Sequence, residues 1–119
     1  MAWSFTSDRP VYLQIADRIK KMVLSGEYSA GEQIATVRQL ATTAAVNPNT
    51  VQRAFTELES EGIIVSKGTV GRFVTEEPEV LETCRSKMAE DLVKDFVKDM
   101  RQLSIGKTQL IKMIEEEDI

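Results

Sequence analysis

Apolar residues spaced three or four positions apart predict two short helices in the first third of the chain. The first helix opens near Pro10, which suits an early helical position, and ends at Gly26. Thr36 followed by Gln39 has the spacing of a capping box, so the second helix should begin at Val37. The residues predicted to face the core are Ile15, Ile19, Met22 and Val23 in the first helix and Val37, Leu40 and Ala41 or Ala44 in the second.

A third helix follows after a sharp turn at residues 45–46. Asn47 can cap this helix, and Pro48 suits its first helical position. The helix should run to about Glu61, because Gly62 can adopt the left-handed conformation that ends a helix. Its core-facing residues, at i, i+3, i+4 and i+7 spacing, are Val51, Ala54, Phe55 and Leu58.

Two runs rich in β-branched and aromatic residues, 63–66 and 72–75, predict a β-hairpin. The loop between them contains glycine, and a short extended segment at 33–35 precedes the second helix. Two helices, a tight turn and a hairpin follow in the order of a winged helix-turn-helix. We therefore expect a mostly α fold with a small β-hairpin wing, in which Lys67 and Arg72 reach DNA or, alternatively, only protect edge strands.

The pattern changes after Pro78 to a long helix with an apolar residue every three or four positions. A break at 105–106 ends this helix, and a short second helix is predicted at 109–116. We expect a DNA-binding domain at 1–77 and a two-helix dimerisation tail at 78–119. A single helix of this length cannot bury its stripe alone, so it either folds back on residues 1–77 or, as we favour, pairs with a second copy. The predicted dimerisation residues are Leu81, Met88, Leu92, Phe96, Met100, Leu103, Leu110 and Ile114.

The composition argues against catalysis. The chain of 119 residues has no histidine, so the usual general base and the commonest metal ligand are absent. It has one cysteine, Cys84, so no intramolecular disulfide can form. We expect no enzymatic activity, no catalytic residue, no metal and no cofactor, and we expect Cys84 to be buried. Neither a signal peptide nor a membrane-spanning run is visible, so the expected location is the cytoplasm.

The net charge of −4 is unusual for a protein that binds nucleic acid. Residues 1–77 hold eight Lys and Arg against nine Asp and Glu, whereas residues 78–119 hold seven against ten. The acidic excess therefore lies mostly in the tail, and the first part of the chain keeps its cations for a local cluster.

The outer face at the start of the third helix carries Asn49, Thr50, Gln52 and Arg53. A helix-turn-helix inserts its second helix into the major groove, where asparagine and glutamine can bond adenine and arginine can bond guanine. The same residues also fit an ordinary solvated helix face. Arg38, at the start of the preceding helix, is predicted to contact DNA, the alternative being an ion pair with a neighbouring acid.

Residues 10–41, 46–64 and 71–74 resemble the DNA-binding domain of GntR-type bacterial transcription regulators, and the short helical tail resembles that of the YtrA subfamily. The resemblance implies a homodimer that binds double-stranded DNA at an inverted-repeat operator, usually as a repressor and often of an operon encoding a transporter. It also implies that Gly71 lies at the wing. The complete set of predicted DNA-binding residues is Thr36, Arg38, Asn47, Asn49, Thr50, Gln52, Arg53, Lys67, Gly71 and Arg72.

The chain departs from the usual pattern of the family at three places. Ala35 stands where proline is usual, Ala45 where the turn usually has glycine, and residues 69–72 where a Gly-basic-Gly-Thr wing is usual. A small-molecule effector would have to bind near the tail or the dimer seam, and no residue pattern identifies one. The alternative function is a winged-helix protein-interaction module without specific DNA binding.

Overall fold

The computed structural model describes residues 2–119, and within them the chain forms five α-helices and one two-stranded antiparallel sheet. This composition confirms the predicted fold class. The elements are α1 (Val11–Leu24), α2 (Val37–Ala44), α3 (Pro48–Ser60), β1 (Ile64–Ser66), β2 (Arg72–Val74), α4 (Pro78–Gln102) and α5 (Lys107–Glu116), with a 3₁₀ turn at Gly68–Val70. No helix in the described part of the chain is long and apolar enough to cross a membrane.

Helix α1 begins one residue after the proline that signals it. Pro10 has φ −55° and ψ 140°, so it lies outside the helix, and its carbonyl accepts from the Gln14 N–H at 3.3 Å. Ile15 and Ile19 are buried as predicted, whereas Met22 is only half buried. The buried stripe of α1 packs against α3.

The turn between α2 and α3 has the predicted construction. Thr36 and Gln39 form the capping box, in which the Gln39 N–H donates to Thr36 Oγ1 at 3.1 Å and the Thr36 N–H donates to Gln39 Oε1 at 2.9 Å. Ala45 then adopts the left-handed conformation, with φ 59° and ψ 51°. Asn47 caps α3, because its Oδ1 accepts from the Asn49 N–H at 2.8 Å. These local signals fix the angle between the two helices.

Helix α3 ends at Ser60, and Gly62, with φ +77°, turns the chain into the hairpin as predicted. The strands β1 and β2 pair in the register Ile64↔Val74 and Ser66↔Arg72. Each is one residue shorter than predicted, although the Thr75 N–H still donates to the Ile63 carbonyl at 2.9 Å. The predicted extended segment at 33–35 is also present, since Gln33 forms a single bridge with Phe73.

The chain divides into two compact units, one ending at Cys84 and one formed by Arg85–Ile119. The predicted boundary after residue 77 stays a prediction. The core of the first unit joins α1, α2, α3 and the hairpin, and Cys84 is buried, as expected. Its largest fully buried side chains are Phe55, Ile15, Ile19, Leu58, Ile63, Ile64, Val51 and Val74.

The second unit holds α4 from Arg85 onward and all of α5. Helix α4 ends at Gln102, and Ser104, with φ 61°, makes the break that was predicted at 105–106. Helix α5 begins at Lys107, two residues earlier than its apolar positions predict. Leu110 is the single buried apolar residue in this unit, and most of the other large apolar residues of Arg85–Ile119 are exposed.

Candidate nucleic-acid interface

The first two turns of α3 separate a polar face from an apolar one. Asn49, Gln52 and Arg53 are exposed, and their i, i+3, i+4 spacing places them on the same side of the helix. Thr50 is half buried, and Val51 on the opposite side is completely buried. The buried side anchors α3 against α1 and α2. The helix therefore presents a short row of hydrogen-bonding side chains from a fixed backbone.

Arg53 has an aromatic neighbour that its own helix does not supply. Its guanidinium carbon lies 4.0 Å from the centroid of the Tyr12 ring on α1. A cation over an aromatic face is attracted by the ring quadrupole, and the flat guanidinium can keep its N–H groups directed outward while it stacks. Tyr12 was not identified as a site residue, because the pairing joins positions from two different helices.

Arg38 is exposed in the first turn of α2. Among the described residues, no ion pair involves Arg38, Arg53 or Lys67. The alternative in which Arg38 pairs with a neighbouring acid is therefore not observed. Since α2 packs against α3, Arg38 and the polar row of α3 belong to one rigid pair of helices.

Thr36 and Asn47, which belong to the predicted DNA-binding set, act as helix caps. The Thr36 hydroxyl oxygen and the Asn47 carbonyl oxygen each accept a backbone N–H. Each side chain keeps a donor, the hydroxyl hydrogen of Thr36 and the amide nitrogen of Asn47, that can reach a phosphate. Their contact with DNA stays a prediction, and capping is the role that the structure assigns.

The two cationic residues of the wing, Lys67 and Arg72, have different surroundings. Lys67 is exposed, and its Nζ lies 4.6 Å from the centroid of the Phe73 ring. Arg72 is turned toward α3, where its Nε donates to Glu59 Oε1 at 2.5 Å. The predicted DNA contact of Lys67 is therefore compatible with its exposure, whereas the guanidinium of Arg72 is already engaged within the protein.

Gly71 has a backbone that favours glycine. Its φ of +125° lies in the region that other residues rarely adopt, and a Cβ on it would lie 2.6 Å from Gln33 Nε2. That amide nitrogen donates to the Val70 carbonyl at 2.8 Å. Glycine at position 71 is thus favoured mainly by its backbone conformation, and a Cβ there would also displace the amide end of the Gln33 side chain, a contact that no local sequence signal indicates.

These features define the class of protein. A capped helix pair joined by a tight turn, a polar row on its second helix and a hairpin with an exposed lysine together form a winged helix-turn-helix of the kind that binds DNA. The family of bacterial regulatory proteins named gntR matches residues 11–74, and the chain belongs to this family. The resemblance inferred from the sequence is confirmed.

Relatives of full length agree with this assignment. The chain is 32% identical to the HTH-type transcriptional repressor YtrA of Bacillus subtilis over 92% of this chain and 85% of that protein. A GntR family transcriptional regulator from Listeria monocytogenes shares the fold with a TM-score of 0.86 and 34% identity, over 96% of this chain and 100% of that one. The DNA-binding domain of AraR, in complex with operator ORX1, matches with a TM-score of 0.56 and 25% identity, over 63% of this chain and 93% of that one. The protein is a DNA-binding transcription regulator.

Proposed function

We propose that this regulator acts in the cytoplasm as a homodimeric repressor of an operon near its own gene, with transporter genes as the first candidates. The dimer would bind an inverted-repeat operator through two copies of α3. The observation that carries this proposal is the exposed apolar surface of the tail helices. The repressor role is supported by the similarity to YtrA of Bacillus subtilis, which is named a repressor.

The tail exposes several large apolar side chains, and two of them share one face of α4. Leu92 is 59% exposed and Phe96 is 43% exposed, and their i, i+4 spacing puts them on one face of α4. Leu103 after α4 is 69% exposed, and Ile114 on α5 is 45% exposed. A second copy of the chain would cover the same residues on both partners. Leu81, Met88 and Met100 are half buried, and Leu110 is already buried within one chain, so Leu110 offers little surface to a partner.

A two-fold dimer also explains how a chain with few cations can bind DNA. Each copy would present Arg38, Arg53 and Lys67 to DNA. The dimer would therefore make twice as many cationic contacts with the duplex as one chain. A symmetric pair of recognition helices spaced about 34 Å apart reads two successive major grooves on one side of the duplex. An effector would control this regulator only if it preferred one dimer geometry over another.

Fluorescence anisotropy tests the DNA-binding part of the proposal. The probe is a duplex taken from the sequence upstream of the protein's own gene, titrated across a salt series beside a scrambled duplex of equal composition. We expect tighter, salt-dependent binding to the upstream duplex, and Arg53→Ala should weaken it by about 1–3 kcal/mol if Arg53 reads a base. Equal weak binding to both duplexes would contradict an operator at this place.

Sedimentation equilibrium tests the dimer. Phe96→Ser removes an exposed apolar side chain, and Asp95→Ser changes the adjacent exposed position outside the apolar stripe. We expect a dimer for the wild type and for Asp95→Ser and a shift to monomer for Phe96→Ser. A monomeric wild type at micromolar concentration would overturn the dimer and leave the DNA-binding class of the protein unaffected.

A further inference from the structure

Arg72 stands at the junction of the wing and the recognition helix. It opens β2, opposite Ser66 of β1, and its side chain crosses to α3, where it meets Glu59 at 2.5 Å. The side chain of Arg72 is 25% exposed and that of Glu59 is 34% exposed. An ion pair with this degree of burial is screened less by salt than one on the open surface. The pair therefore connects two elements that would both face DNA.

The remaining surroundings of Arg72 hold it in the same orientation. Its guanidinium carbon lies 5.0 Å from the centroid of the Phe55 ring, which is completely buried on α3. Its backbone carbonyl accepts from the Ile34 N–H at 2.9 Å. Side chain and backbone of one residue thus tie β2 to the recognition helix on one side and to the segment before α2 on the other.

A second contact holds the tip of the wing. Gln33 Nε2 donates to the Val70 carbonyl at 2.8 Å, and the lack of a Cβ on Gly71 provides the space for this amide. Gln33 is also bridged to Phe73 through the backbone. The wing is therefore attached at the strand pair next to its loop by the Arg72–Glu59 pair and within the loop by Gln33.

We propose that Arg72 and Gln33 are positioning residues that hold the wing at a fixed place beside the recognition helix, and that Lys67 is the cation of the wing that touches DNA. Arg72 acts on DNA affinity through Glu59 and does not bind a phosphate itself. This inference rests on the proposed DNA-binding function, and it replaces the direct contact that the sequence predicts for Arg72.

The proposal predicts that removal of Glu59 lowers DNA affinity, whereas the loss of its negative charge alone would raise that affinity. Removal of a carboxylate near DNA ordinarily raises affinity for the negatively charged duplex. Glu59→Met removes both the charge and the acceptor of Arg72 while it keeps a side chain of similar length. We expect DNA affinity to fall about three- to tenfold, because the wing loses its attachment to α3. Glu57→Met is the matched control, since it removes the same charge two positions earlier on α3 and should leave affinity unchanged or slightly higher.

Salt dependence separates a phosphate contact from a positioning role. Each phosphate contact contributes about one unit to the slope of log affinity against log salt concentration. Lys67→Gln should lower that slope by about one, whereas Arg72→Gln should weaken binding and leave the slope unchanged. A slope that falls by about one in Arg72→Gln, or an affinity that rises in Glu59→Met, would overturn the inference.

Amide hydrogen exchange gives a readout that needs no DNA. The N–H groups of Lys67 and Val70 lie in the wing loop and donate to Gly71 and Lys67 carbonyls at 2.9 and 3.2 Å. We expect Glu59→Met and Gln33→Met to increase their exchange rates several-fold and Glu57→Met to leave them unchanged. Unchanged exchange in the first two variants overturns the inference even if the wild type binds DNA. A wild type that binds no duplex in a salt-dependent manner contradicts the proposed function, and exchange at these two amides still decides whether the wing is held as inferred.

Discussion

The unit that ends at Cys84 buries Phe55, Ile15 and Leu58 completely, whereas the unit formed by Arg85–Ile119 leaves Leu92 and Phe96 largely exposed. Both units contain amphipathic helices with the same apolar spacing. The difference lies in what covers each apolar face. In the first unit, three helices and a hairpin cover one another, and in the second the faces of α4 and α5 remain open in a single chain.

This difference agrees with the roles proposed for the two units, DNA recognition for the first and association between copies for the second. Base recognition requires that the polar row of α3 be held by a backbone that does not move, and a fully packed core provides such a support. Association between copies requires an apolar surface that stays available until the partner arrives. The first unit is therefore expected to be stable by itself, and the second to gain its stability from assembly.

The strongest test of the comparison is the replacement of one phenylalanine in each unit. Phe55→Ala should lower the free energy of unfolding by about 3–5 kcal/mol, because it removes a ring with no exposed surface and leaves a cavity. Phe96→Ala should change the unfolding of the first unit by less than about 0.5 kcal/mol. Urea unfolding followed by Trp3 fluorescence can measure both, since Trp3 is the single tryptophan and lies 4.1 Å from the Arg18 guanidinium on α1.

When dimerisation is measured in place of unfolding, Phe96→Ala should have the larger effect of the two variants. Phe96→Ala should weaken the proposed dimer in sedimentation experiments, and Phe55→Ala, studied under conditions where it is folded, should leave it unchanged. Equal loss of stability in the two variants would mean that the two units unfold as one cooperative block.

The helix termini provide a smaller test. Helix α2 has a complete capping box at Thr36, whereas α5 begins at Gly106 without a side-chain cap. Thr36→Ala should therefore cost about 1 kcal/mol of unfolding free energy, and Gly106→Ser should gain only about 0.3 kcal/mol, mainly as helicity of α5. Circular dichroism combined with urea titration measures both effects. A gain at Gly106 as large as the loss at Thr36 would show that α5 already belongs to the cooperative core.

The sequence was sufficient for the elements whose signals are local. The capping box, the Asn47 cap, the turn at Gly62 and the apolar stripes all depend on residues within one or two turns of each other. The structure has them where they were predicted, except that Met22 and Val37, which were predicted to face the core, are only half buried. The polar row on α3 was found for the same reason. Its contacts with DNA stay a prediction.

Contacts between residues that are far apart in the sequence could not be predicted in this way. Arg72 and Glu59 are separated by 13 positions, and Gln33 and Val70 by 37, so each pairing depends on how the hairpin lies against the rest of the first unit. Tyr12 and Arg53 likewise come from separate helices. Side-chain charge alone suggested that Arg72 faces DNA, and only the tertiary arrangement reveals a nearer partner.

Left-handed residues give a third test, because each unit has one that is not glycine. Ala45 has φ 59° and Ser104 has φ 61°. Ala45→Gly removes about 1–2 kcal/mol of steric cost and adds about 0.5–1 kcal/mol of chain entropy to be lost on folding, so we expect a net gain of about 0.5 kcal/mol. The gain should appear in global unfolding for Ala45→Gly and only in local amide exchange near Ile105 for Ser104→Gly. Ala44→Gly, inside α2, should instead destabilise by about 1 kcal/mol or more.

The smallest expected effect is the dependence of stability on pH. The first unit should lose stability at acidic pH and the second at alkaline pH. In the first unit, the hydrogen bond from the Thr6 hydroxyl lowers the pKa of Asp8, with a smaller contribution from the Asp8 backbone. Its contribution to stability is therefore present above the ordinary titration range of aspartate and is lost as the pH falls below it. In the second unit, the hydrogen bond to Asp91 raises the pKa of Lys87, so that contribution is present at neutral pH and is lost at strongly alkaline pH.

Because both groups are exposed and the chain has no histidine, we expect the free energy of unfolding to be nearly flat between about pH 5 and 7. The difference between Thr6→Val and the wild type should be smaller at about pH 2.5 than at pH 6, because protonation of Asp8 removes the charged acceptor of the Thr6 hydroxyl. Urea titrations at the two pH values measure this difference. A Thr6→Val effect that grows as the pH falls would mean that the hydroxyl stabilises the first unit through packing and not through the carboxylate.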